Sequence, residues 1–158
     1  MRYSFLGFAL IALISLVFGC GGGVGESTPG PTAATVVIKT VGAPATLYGV
    51  EFTAQLPIGV TLTTQGSGQL AAGVMVPSGG ATGATVVTNY QSASSPKTVA
   101  VSVTKGEDGF PVGEFLTVNA MVAPGAALLP ADIALSEFKV FDNLGALAGS
   151  ITGTVTVP

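Results

Sequence analysis

The chain has 158 residues, enough for one domain, and only 8% of them are charged. Its formal net charge is −3, from five basic and eight acidic residues, with no His and a single Cys. These counts exclude Ser-His-Asp and Cys-His catalysis, haem and zinc ligation and any intramolecular disulfide; the four lysines beyond Arg2 (Lys39, Lys97, Lys105 and Lys139) are too scattered to hold nucleic acid.

Residues 1–19 read as a signal peptide. Arg2 supplies the positive start and Phe5 to Phe18 an apolar run. That run is short for a membrane span, which needs about 20 apolar residues. Leu16-Val17-Phe18-Gly19-Cys20 resembles a lipobox, with an aliphatic residue at −3, a small one at −1 and cysteine at +1. The resemblance implies diacylglycerol on the Cys20 sulfur and cleavage before it, so the protein is expected to be a membrane-anchored lipoprotein. Gly21 at +2 is not Asp, which places it by default at the outer membrane or cell surface. Residues 20–34 then form the lipidated cysteine and a tether rich in Gly, Ser, Thr and Pro.

Residues 35–158 read as one all-β domain. Thr35–Val41 is a β-branched run, and Leu47–Leu56 alternates, with Val50, Phe52, Ala54 and Leu56 on one face and Glu51, Thr53 and Gln55 on the other. Strands are further expected at 59–63, 70–76, 84–91 and 98–104, where Val99, Val101 and Val103 face inward. Residues 112–122 make the longest strand, and 132–142 and 151–157 close the domain. Pro130–Phe138 admits an opening helical turn but is assigned to strand, because it runs directly into Lys139-Val140-Phe141. Gly, Asn, Asp and Ser clusters separate the strands, notably 65–68, 78–80, 107–109 and 142–145. The expected fold is an antiparallel β-sandwich of about nine strands, and a core without disulfides must hold it together.

Candidate sites are few. Tyr48 and Tyr90 could form a ligand platform of the kind sugar sites offer, though both positions equally suit the edge of a core. Lys105-Gly106-Glu107-Asp108-Gly109, with Glu114 nearby, puts acids in a turn, but calcium needs six to eight oxygens and the spacing is not that of an EF-hand. No spacing among the acids singles out the two carboxyls a glycosidase would need, and residues 66–83, though glycine-rich, contain no nucleotide-binding pattern. The expectation is a protein that is not an enzyme and carries no cofactor of its own.

The strand segments resemble those of cohesins. Gly49-Val50-Glu51-Phe52-Thr53-Ala54-Gln55-Leu56-Pro57 is similar to an early cohesin strand, and Gly113-Glu114-Phe115-Leu116-Thr117-Val118-Asn119-Ala120 to a later one. Pro130-Ala131-Asp132-Ile133-Ala134-Leu135-Ser136-Glu137-Phe138 resembles the segment that follows. Asp142-Asn143-Leu144-Gly145-Ala146 with Ile151–Val157 resembles the closing hairpin. The resemblance implies a nine-stranded jelly-roll and a non-catalytic binding module. Its partner would be a dockerin-type protein, through which calcium would enter. Because cohesins are related to carbohydrate-binding modules, a polysaccharide ligand is the alternative, and a purely structural envelope role is a third.

Overall fold

The computed structural model describes residues 29–145 and 149–158. The expected signal peptide, Cys20 and the first part of the tether lie outside the described residues. Among the described residues no helix is long and apolar enough to cross a membrane.

The fold is an all-β antiparallel sandwich. Its strands are β1 (Thr32–Val41), β2 (Thr46–Leu47), β3 (Gly49–Leu56), β4 (Val60–Thr61), β5 (Met75–Pro77), β6 (Thr85–Gln91), β7 (Lys97–Thr104), β8 (Phe110–Pro111), β9 (Glu114–Val122), β10 (Ala134–Phe141) and β11 (Thr152–Thr156). One sheet runs β11-β1-β9-β4, with β5 also paired to β9; the other runs β10-β3-β7-β6; β2 and β8 form a short ribbon.

The alternating segments fold as their pattern demands. Val50, Phe52, Ala54 and Leu56 of β3 and Val99, Val101 and Val103 of β7 are all buried, and they meet Val36, Ile38, Val118 and Ala120 from the facing sheet. A ring cluster fills the middle. Phe52 lies 6.0 Å from both Phe115 and Phe138, edge-on to the first and stacked with the second, and Phe115 also packs on Phe110 at 6.4 Å. Sheet edges β10 and β11 close on each other over Gly153. A Cβ there would run into the Phe138 ring and Leu135, so only glycine lets the two strands approach.

Several boundaries differ from expectation. β1 begins at Thr32, where the tether was expected, because Thr32, Ala33 and Ala34 pair with Val122, Met121 and Ala120. β1, of ten residues, is the longest strand, because β9 starts at Glu114 rather than at the expected Val112 and has nine. Residues 70–76 are mostly irregular, with a single bridge from Leu70 to Thr64 before β5. Pro130–Asp132 does open with a turn of 3-10 helix. The Asp132 carboxylate accepts the Leu129 N–H at 2.9 Å and holds that turn before β10 starts.

Two β-bulges shape what the sandwich presents. In the β1–β9 ladder the register slips between Ile38, opposite Leu116, and Lys39, opposite Glu114. The extra residue is Phe115, so Phe115 and Leu116 both enter the core although they are adjacent. In β10 the register slips between Ser136 and Lys139, and there two adjacent residues are turned outward.

Candidate functional site

The outer face of the β10-β3-β7-β6 sheet carries the side chains that strand alternation leaves over. Reading across the sheet, Lys139 stands opposite Glu51, Glu51 opposite Ser102 and Ser102 opposite Val87. The next row is Ser136, Thr53, Ala100 and Asn89. Small residues on β7, flanked by longer ones, leave a depression of about 270 Å³ whose lining includes Glu51, Thr53, Val87, Asn89, Glu137 and Lys139.

The β10 bulge sets this site. Glu137 has φ of 54°, the single positive φ outside glycine among the described residues. That left-handed backbone is disfavoured for a residue with a Cβ. It keeps Leu135 and Phe138 on the core side while Ser136 and Glu137 both face out. The Thr53 hydroxyl donates to the Glu137 carboxylate at 3.1 Å, and the Ser136 hydroxyl donates to the Thr53 carbonyl at 3.3 Å. A carboxylate is thereby fixed on a face that already holds Glu51 and Lys139.

An aromatic ring borders the same face. Phe141 follows buried Val140 and so points outward, opposite Gly49, where its ring would touch a Cβ at 3.4 Å. The ring covers backbone that Gly49 leaves bare. Val87 on β6, 63% exposed, is the large apolar side chain most open to solvent among those lining the depression.

Tyr48 and Tyr90 are not brought together. Tyr48 is tied to Phe141 and Lys105 by backbone hydrogen bonds at one end of the sheet. Tyr90 pairs with Val99, which is opposite Ala54. Six residues along β3 and two strands across separate them by roughly 20 Å and 10 Å respectively. Tyr90 also points to the core side, packs against it and takes the Leu62 N–H on its hydroxyl at 3.4 Å. A platform shared by the two tyrosines is therefore ruled out by register, which sequence alone does not give. The 105–109 turn joins β7 to β8, with the Gly109 N–H donating to Gly106. Among the described residues no three His, Cys, Asp or Glu side chains converge on a metal-sized site.

Sequence reasoning missed Glu137 and Phe141. The outward parity of Phe141 was available from Val140, but its position over Gly49 follows only from pairing. The Glu137 bulge left a trace in the i, i+3 spacing of Leu135 and Phe138, which is also a helical period. No family model, no curated protein and no solved structure matches this chain.

Proposed function

We propose that this chain is a non-catalytic binding module, held outside the cytoplasm by lipid on Cys20, that attaches a protein partner through the outer face of the β10-β3-β7-β6 sheet. Glu137 carries the reading. A left-handed backbone costs a residue of this kind roughly 1–3 kcal/mol, and such residues concentrate at ligand clamps. Here the strained residue contributes its carboxylate to the surface, beside Glu51, Lys139 and exposed Val87. A face with one apolar contact point and charges of both signs suits a protein surface, where apolar area supplies affinity and charge supplies register. The cohesin-like strand segments support the same reading and favour a dockerin-type partner. The lipobox supports the anchor.

The test uses residues 29–158 as bait in envelope and extracellular extract of the host, with calcium and with a chelator. The expected result is a discrete protein retained by the native face and lost with Glu137→Gly, Glu51→Lys or Lys139→Glu. It should be unaffected by Asp108→Asn on the 105–109 turn, which does not line the depression. Release by chelation would identify a calcium-loaded partner. Retention that survives all three face substitutions would refute the assignment of this face.

A second reading has one observation in its favour. The Phe141 ring gives the face a single aromatic surface on which a sugar could stack. Retardation in a polysaccharide gel, lost with Phe141→Ala and kept with Tyr48→Ala and Tyr90→Phe, would establish carbohydrate as the ligand.

A further inference from the structure

The two ends of the sandwich differ in charge, while each exposes large apolar side chains, Ile58 and Leu129 at one and Val41 and Leu144 at the other. At one end β1 starts: Thr32 pairs with Val122, which pairs with Val60, and the Ala123 N–H donates to Gly59 at 2.8 Å. The turn Pro57–Gly59 projects there and carries Ile58, which is 97% exposed. The turn is braced rather than loose. Gly59 has φ of 85°, and a Cβ on it would stand 2.7 Å from the Ala126 side chain, so the 123–126 loop backs it directly. Leu129, 58% exposed, belongs to the same end, just before the 3-10 turn that leads into β10 opposite Gln55. Among the described residues the charges here are Lys97, opposite Leu56 at the start of β7, and Asp132, whose carboxylate accepts the Leu129 N–H. They balance.

The other end is acidic. The 105–109 turn brings Glu107 and Asp108, and the turn after β10 brings Asp142, against Lys105, while Lys39 near this end stands opposite Glu114. Exposed Leu144 lies in that acidic turn, and its N–H donates to the Asp142 carboxylate at 2.8 Å.

We propose that the β1-start end of the sandwich rests on the lipid surface that anchors Cys20, with Ile58 and Leu129 inserted at the headgroup–acyl boundary. This rests on the lipid anchor proposed above. Covalent reach favours this end. The chain from Cys20 to Thr32 spans at most about 40 Å when fully extended, and β1 alone is roughly 34 Å long. Presenting the acidic end to the bilayer would demand nearly the whole of that reach, whereas the β1-start end is adjacent to the anchor with no extension. Charge acts in the same direction, because an anionic leaflet repels the acidic end and is indifferent to the neutral one. Two apolar side chains add little membrane affinity alone, but a lipid chain already holds the domain at the surface, and orientation is all they must supply. The outer face of the β10-β3-β7-β6 sheet then stands upright, open to a partner from the side.

The test uses the full lipidated chain, purified from cells that process it and placed in vesicles of phosphatidylethanolamine and phosphatidylglycerol. Acylated Cys20 has no free thiol, and it is the one native cysteine, so Ile58→Cys and Leu144→Cys can each be labelled with an environment-sensitive fluorophore. Intact mass reports acylation. Lipid-borne spin quenchers report depth. The expected result is blue-shifted emission and strong quenching at position 58, with neither at position 144. Equal, weak quenching at both positions in protein whose mass includes the acyl chains would overturn the docking and leave the anchor standing. Quenching at 144 alone would overturn the orientation. A mass without acyl chains would overturn the anchor, and the docking with it.

Discussion

The two bulges use one device for opposite purposes. Each adds a residue to a strand, and each is pinned by a threonine on the neighbouring strand. In β9 the extra residue is Phe115, which goes into the core, and Thr40 on β1 sits beside the slip. The Thr40 hydroxyl accepts the Gly113 N–H at 2.9 Å and donates to the Gly113 carbonyl at 3.1 Å, in a position only 2% exposed. In β10 the extra residue is Glu137, which goes out to solvent, and Thr53 on β3 holds its carboxylate. The first bulge is dry and builds stability. The second is wet and exposes its extra residue, Glu137, which bears backbone strain and makes no core contact of its own, although the same slip keeps Leu135 and Phe138 on the core side.

The comparison is most easily broken at Phe115. Its ring meets Phe52, Phe110 and Phe138 and is fully buried. Phe115→Ala is expected to lower stability by about 3–5 kcal/mol, read as a shift in urea midpoint at constant slope. A loss below about 1 kcal/mol, the size expected for an ordinary surface change, would mean that the β9 bulge does not build the core. Thr40→Val comes next. It keeps the shape but leaves the Gly113 N–H without its acceptor, at an expected cost of about 1–3 kcal/mol. The matching change in the wet bulge, Thr53→Val, is expected to stay within about 0.5 kcal/mol, because solvent can replace the lost hydrogen bond. Equal costs at the two threonines would erase the distinction between the bulges.

The sequence made the regular parts of this contrast legible and hid the irregular ones. The alternation of β3 and β7 assigned their faces correctly, because period two survives wherever a strand pairs without interruption. Bulges interrupt that period, and their location depends on the partner strand. Adjacent Phe115 and Leu116 carried a hint, since two large apolar residues side by side do not fit a half-buried strand. Leu135 and Phe138 carried another, which a helical turn explains equally well. Tyr48 and Tyr90 failed as a pair for a different reason. Both could be placed on strands or near them, but their level along the sheet follows from register, and register is a long-range property. Of the side chains that line the depression, alternation had assigned Glu51 and Thr53 to the outer face; Val87, Asn89 and Lys139 join them through strand pairing, and Glu137 is positioned only by the bulge.

Glu137→Gly is expected to cost no stability, and it separates packing from function. Removing the side chain relieves about 1–2 kcal/mol of left-handed strain. It also frees the unfolded chain, which offsets about 0.5–1 kcal/mol of that gain. The hydrogen bond from Thr53 is exposed, so its loss weighs little. The net expectation is a domain as stable as the native one, or more stable by up to about 1.5 kcal/mol, with the same denaturant slope. If Glu137 is a clamp, that variant should lose its partner while keeping its fold. If the glutamate instead stabilises the bulge, the variant should unfold earlier and the comparison between the two bulges fails. Glu137→Gln then sharpens the result. It retains the strain and can still accept from Thr53, so its stability should match the native protein, and any loss of binding isolates the carboxylate charge itself.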